Sequence, residues 1–196
     1  MKKIIVATNN KGKLKEIREI LTDYELLSLE EVGINVKVEE DENTFRGNSL
    51  KKANEIFKIA NIPCIADDSG LCIDIFDGWP GVETARFLGD KASQEDRNKY
   101  ILEKMKDKSG EERNAKVVCD IAYVDNENTI VVEGIIEGKI SKEERGSNGF
   151  GFDSIFELED GRTLAELSEK EKNDVSSRRI ALGKLKQRLI KFFWKI

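Results

Sequence analysis

Apolar residues along the chain follow two patterns, short continuous runs and stripes spaced three or four residues apart. Lys3 to Ala7 is a short run, and Leu14, Ile17, Ile20 and Leu21 recur at helical spacing from about residue 12 to residue 22. A strand, a polar loop and a helix are therefore expected at the start. Phe45, Leu50, Ala53, Ile56, Phe57 and Ala60 make a second helical stripe, with Asn43 as N-cap and Asn61-Ile62-Pro63 as its stop. Cys64-Ile65-Ala66 predicts a strand that breaks at Asp67-Asp68-Ser69-Gly70, resumes from Leu71 to Phe76, and gives way to a rigid turn at Asp77-Gly78-Trp79-Pro80-Gly81. A helix follows from about Ser93 to Lys106. Lys116 to Val124 and Thr129 to Ile136 then read as a hairpin joined by Asp125-Asn126-Glu127-Asn128. Residues 146–153 form a Gly-rich loop, and Ile180, Ala181, Leu185, Leu189 and Phe192 mark one side of a final helix. No repeat and no Pro-, Gly- or Ser-rich linker interrupts the pattern, so residues 1–196 read as a single α/β domain around a mixed sheet.

Composition narrows the chemistry. The chain has no histidine, which excludes His-based triads, His zinc sites and His general bases. Catalysis must then run through carboxylates, lysines, hydroxyls or a metal held by oxygen. The 33 basic and 38 acidic residues alternate and leave a net charge of −5, which argues against a nucleic-acid partner. Cys64, Cys72 and Cys119 lie in apolar runs without Cys-x-x-Cys spacing and read as reduced core residues, the usage of a cytoplasmic protein. No stretch approaches the roughly 18–20 apolar residues of a membrane span, and Met1-Lys2-Lys3 leads straight into a strand, so neither a membrane partner nor a signal peptide is expected.

Several stretches could carry chemistry. Thr8, Asn9, Asn10, Lys11, Gly12 and Lys13 lie between the first strand and the first helix, where a helix N-terminus favours phosphate; the same residues also make an ordinary N-cap. Asp67-Asp68 at a strand end is expensive to bury without a cation or hydrogen bonds, although Asp-Asp-Ser-Gly is also good turn chemistry. Because strand residues alternate in direction, one aspartate is expected to meet a divalent ion while the other anchors the loop. Glu39 and Glu40, in the acidic run 39–42, offer a further carboxylate to such an ion or simply a solvated loop. Lys52 and Asn48 lie one helical turn apart. Phe150 and Phe152 sit among glycines, placed to cover a flat ligand or to close the core, and the donors from Glu171 to Arg179 open the last helix.

In order along the chain, Thr8-x-Asn10-x-x-Lys13, Asn48-x-x-x-Lys52-Ala53, Ala66-Asp67-Asp68-Ser69-Gly70-Leu71, Trp79-Pro80-Gly81 through Ala85-Arg86, Gly149-Phe150-Gly151-Phe152-Asp153 and Glu171-Lys172-Asn173-x-x-Ser176-x-Arg178 resemble the inosine triphosphate pyrophosphatase family. The resemblance runs from about residue 3 to residue 185. It implies an elongated mixed β-sheet flanked by helices, two lobes with a central nucleotide cleft, and a homodimer. It also implies Mg²⁺-dependent hydrolysis of ITP, dITP and XTP to monophosphate and pyrophosphate. Thr8 to Lys13 and Lys52 would hold the triphosphate. Asp68 would be general base and metal ligand, with Glu40 or Glu39 beside it, and Ser69 would touch the substrate. Phe150, Gly151, Phe152, Asp153, Lys172, Ser177 and Arg178 would surround the purine. Ser177 stands where the family usually has histidine, and Asn148 and Ser154 stand where glycine and proline are common. Rival readings are a septum-inhibition-type nucleotide pyrophosphatase and a non-catalytic nucleotide-binding regulator.

Overall fold

The computed structural model describes residues 2–89 and 91–193. In chain order they form β1 (Lys3–Val6), α1 (Lys11–Ile20), β2 (Glu25–Ser28), α2 (Phe45–Ala60), β3 (Cys64–Ile73), β4 (Trp79–Pro80), α3 (Gln94–Lys104), β5 (Asn114–Val124), β6 (Thr129–Ile140), β7 (Phe156–Glu157), α4 (Glu169–Val175) and α5 (Ser177–Phe193). One mixed sheet has the order β2-β1-β3-β5-β6-β7, with β4 paired to β3. The α/β class with a helix-flanked mixed sheet is as the sequence pattern indicates.

Two compact units result. The first comprises the chain up to Asp68, Cys119–Gly134 and Ser177 onward; the second comprises Ser69–Val118 and Ile135–Ser176. In the first unit β1 runs parallel to both β2 and β3, with Ile5 opposite Leu27 and Cys64. Both faces of β1 are covered, which is why its sequence is a continuous apolar run rather than an alternating one. Ile4 and Val6 pack with Ile17, Ile65, Cys119, Ile121 and Leu185 on the face of α1 and α5. Ile5 and Ala7 pack with Ala53, Ile56, Ala66 and Ala122 on the face of α2. In the second unit Leu71, Ile73, Ile101, Met105, Ile140 and Phe156 form the core. There Trp79 meets Phe87 edge-on at 4.9 Å between ring centres.

Several boundaries differ from the sequence expectation for identifiable reasons. The strand expected to break at Asp67-Asp68 runs unbroken from Cys64 to Ile73, because ion pairs rather than a turn compensate the two carboxylates. It ends there, and residues 74–76 form a 3₁₀ turn instead of more strand. Thr44, not Asn43, caps α2: its hydroxyl accepts from the Gly47 N–H, while Asn61 in the left-handed region ends the helix. The segment from Glu171 to Arg179 does not open one helix, since α4 ends at Val175 and Ser176 is extended before α5 begins. Ile180 is exposed, and Leu182 takes a core place beside Ala181, Leu185 and Leu189; the side chain of Phe192 lies outside the described residues. Strand β2, a short and only partly buried run, gave no sequence signal.

α5 lies close against β6. A Cβ at Gly134 would fall 1.9 Å from the Ser177 carbonyl oxygen and 2.7 Å from the Ala181 nitrogen, both backbone atoms that cannot swing away. Gly134→Ala should therefore push out the first turn of α5 and destabilise the protein by about 1–3 kcal/mol, the usual cost of overpacking. Urea unfolding of the variant against the native chain checks this.

Candidate active site

The first unit gathers its charged residues around β3. Consecutive side chains on a strand point to opposite faces, and Asp67 and Asp68 accordingly have separate surroundings. Asp67 faces α1 and α5, with its side chain fully buried. Lys13 Nζ lies 3.0 Å from its Oδ2, and Arg178 donates to the same oxygen from Nη2 at 2.8 Å and Nε at 3.3 Å. Arg178 Nη1 pairs with Glu16, also buried. Burial opposes ionisation of Asp67, but Lys13, Arg178 and Lys52 outweigh it and hold the carboxyl well below the usual carboxylate range.

Asp68 faces α2. Its Oδ2 accepts from Asn48 Nδ2 at 2.9 Å, and its Oδ1 lies 3.9 Å from Lys52 Nζ. Lys52 also pairs closely with Glu40. Burial raises the proton affinity of Asp68; Lys52 counters this and Glu40 reinforces it, and the balance lies above the usual carboxylate value. Lys52 is half-buried, but Asp67, Asp68 and Glu40 overcome its desolvation and keep it firmly protonated. The helical pattern Asn48-x-x-x-Lys52 thus delivers one hydrogen-bond donor and one charge to a single carboxylate.

Asn10 is the N-cap of α1. Its Oδ1 accepts from the Lys13 N–H at 3.1 Å, and its own N–H donates to Thr8 Oγ1 at 3.2 Å. The loop therefore caps its helix, while Lys13 reaches inward to Asp67. Asn9, Asn10 and Lys11 are exposed, and Thr8 and Gly12 are half-buried. Of the two glutamates considered, Glu40 joins the cluster through Lys52, and Glu39 is exposed. Ser69 continues along β3, half-buried.

In the second unit the Gly-rich loop and α4 converge. Lys172 Nζ sits 4.2 Å above the centre of the Phe150 ring and 2.7 Å from Asp153 Oδ2, and the same Asp153 oxygen accepts from the Phe150 N–H at 2.7 Å. Gly149 is required here by its positive φ of 80° and because a Cβ would fall 2.1 Å from Asp153 Oδ2. Phe152 belongs to the core instead, stacked on Phe87. Gly151 follows with φ of 67°. Ser177, at the start of α5, is buried, and Arg178 is committed to Asp67 and Glu16 rather than held out toward a ligand. Sequence spacing brought out Asn48 beside Lys52 but missed Glu16 as a determinant of charge. A carboxylate at a helical position otherwise filled by core residues was the one available signal for Glu16.

Among the described residues no three His, Cys, Asp or Glu side chains converge on one point. Asp68 and Glu40 offer hard oxygen donors around a shared lysine, which fits a Mg²⁺ ion that takes one or two carboxylates and completes its shell with water and phosphate.

Fold and site together define an α/β protein with a carboxylate–lysine centre built on one buried strand. The chain belongs to the Ham1 family, whose profile matches residues 4–188. A dITP/XTP pyrophosphatase of Clostridium tetani is 44% identical over 196 residues, covering 96% of each chain. That of Bacillus subtilis is 42% identical, covering 96% of this chain and 98% of its own. Among solved structures, a HAM1 protein from Coxiella burnetii superposes with a TM-score of 0.88 at 36% identity, covering 97% of this chain and all of the other. The Staphylococcus aureus Ham1 protein gives 0.86 at 35% identity, covering 96% and 98%.

Removing the Arg178 charge should be severe. Arg178→Gln strands Asp67 and Glu16 in the interior, for an expected loss of about 3–5 kcal/mol at pH 7. The native protein holds Asp67 below its unfolded pKa, so that stabilisation is present above the unfolded value near 4 and is lost as pH falls further. The difference between native and variant, followed by urea unfolding, should therefore shrink below about pH 4.

Proposed function

We propose that this protein hydrolyses nonstandard purine nucleoside triphosphates, ITP, dITP and XTP, to the nucleoside monophosphate and pyrophosphate with Mg²⁺. The observation that carries the reading is Asp68, a buried carboxylate of raised proton affinity held between Asn48 and Lys52, in a chain 44% identical to a dITP/XTP pyrophosphatase. Asn48 fixes the orientation of Asp68 by donating to its Oδ2, and Asp68 Oδ1 is the atom that takes a proton from water attacking the α-phosphorus. Lys52 supplies positive charge where charge accumulates in the transition state, and Lys13, at the N-terminus of α1, adds to it. Thr8 to Gly12 lend hydroxyl, amide and backbone donors to the triphosphate, and Ser69 touches the substrate. Asp68 and Glu40 are the residues that would hold Mg²⁺. When bound, the ion neutralises phosphate charge and orients the phosphates.

For the purine, Phe150 offers a ring face, with Gly151 and Asp153 beside it, and Lys172 a donor for a 6-oxo group. Phe152 shapes the loop from below. Ser177 has a hydroxyl where the family resemblance implies imidazole, and Arg178 contributes by fixing the start of α5. A cytoplasmic homodimer is part of the same reading and rests on the resemblance stated above; among the described residues no helix is long and apolar enough to cross a membrane.

Pyrophosphate release from a panel of nucleoside triphosphates, with and without Mg²⁺, tests the reaction. Asp68→Asn should keep the fold and lose about 10² or more in kcat; near-normal turnover would remove Asp68 from the mechanism.

Base choice has its own measurement. A site that donates to a 6-oxo group leaves donors unpaired against adenine. kcat/KM for ITP should exceed that for ATP by at least about tenfold, or 1.4 kcal/mol, in both the native chain and Ser177→His, with an equal or larger ratio in the histidine variant. Equal hydrolysis of ATP and ITP by the native protein points instead to a broad-specificity pyrophosphatase.

A further inference from the structure

On the sheet face covered by α2, Asp68 is not the last carboxylate. Cys119 Sγ lies 4.0 Å from Asp67 Oδ2, so Cys119 and Asp67 share one face, and strand alternation puts Asp120 with Asp68 on the other. The β5–β6 hairpin fixes the next neighbour. The Asp125 N–H bonds to the Asn128 carbonyl at 2.9 Å, and counting back along the regular ladder sets Asp120 directly across from Glu133. Like charges facing one another across a strand pair are destabilising.

Asp120 is nevertheless only 7% exposed. Among the described residues its carboxylate has neither a hydrogen-bond partner nor an ion pair, in contrast to Asp67, Asp68 and Glu16, each of which has a cation or amide against it. Burial and Glu133 push Asp120 up to about 6; Arg46, in the first turn of α2, is the charge that opposes them, and Asp68 adds to the repulsion. A buried carboxylate that faces another carboxylate and has only the more distant Arg46 to oppose it, with no direct ion pair among the described residues, is short of a cation.

We propose that Asp120 and Glu133 hold a hard divalent cation at a site distinct from the Asp68–Glu40 pair. Directly opposed strand residues have Cβ atoms about 4.5–5.5 Å apart, which lets two carboxylates grip one ion. Two carboxylates with water completing the shell suit Mg²⁺, Mn²⁺ or Ca²⁺, and so open a site has weak affinity, on the order of 10⁻⁴ to 10⁻³ M. The bound ion cancels the Asp120–Glu133 repulsion and places positive charge one strand away from Asp68. This inference stands apart from the nucleotide reading and is tested without nucleotide.

The probe is Mn²⁺ titrated into the nucleotide-free protein, with free ion followed by its paramagnetic resonance signal. Asp68→Asn serves as the background, so that the first carboxylate pair is disabled. That protein should still bind one Mn²⁺ per chain, and adding Asp120→Asn or Glu133→Gln should weaken binding at least about tenfold. Both added changes remove a like-charge contact and should fold at least as well as the background. As a second readout, Mg²⁺ should raise the thermal midpoint of the Asp68→Asn protein and leave that of Asp68→Asn with Asp120→Asn unmoved. Absence of Mn²⁺ binding in the background, or equal binding with and without Asp120→Asn, overturns the proposal.

Discussion

A carboxylate placed in mid-strand under full burial is the constraint on which the first unit depends. Asp67 could not remain charged there without opposing charge, because burying an isolated carboxylate costs far more than any one packing contact returns. The protein meets this with Lys13 from α1 and Arg178 from α5 on a single oxygen, and with Glu16 balancing the far end of the guanidinium. Two helices distant in sequence are thereby fixed against one strand. Packing alone would seat them by volume; the ion network also fixes their rotation and register.

The site follows from this arrangement by the simple alternation of a strand. Once Asp67 is committed inward to α1 and α5, Asp68 must face α2, and α2 supplies Asn48 and Lys52 one turn apart. The first aspartate is held by Lys13 and Arg178, and the second is the one the proposed reaction uses. Neither role is interchangeable: Asp67 is kept strongly acidic by its cations, whereas Asp68 is made a better proton acceptor by burial and Glu40.

Much of this was legible in the sequence, for physical reasons that differ from residue to residue. Buried β1 and α2 announced themselves by apolar runs and stripes, and Asn61 by its place before Ile62-Pro63. That Asp67 and Asp68 face opposite sides followed from strand periodicity. The continuity of β3 did not, since Asp-Asp-Ser-Gly has the composition of a turn and the cations that make it a strand come from positions 13, 52 and 178. The family resemblance implied a place for Arg178 at the base, and the motif that carries it does not say that buried Asp67 and Glu16 pair with it. Phe150 and Phe152 look alike in sequence, yet one lies under Lys172 and the other stacks on Phe87, a distinction made only by the rest of the second unit.

The 111-residue separation between Asp67 and Arg178 has a consequence during synthesis. Chains emerge from the ribosome N-terminus first, so β1, α1 and β3 are available long before α5 leaves the exit tunnel. Throughout that interval Asp67 has Lys13 but lacks its guanidinium partner, and the apolar surface that α5 covers stays open to other chains. The last helix thus acts as a closing step. Until it docks, the nascent first unit is exposed to aggregation and proteolysis, and a message truncated before residue 178 yields a product that cannot complete its core.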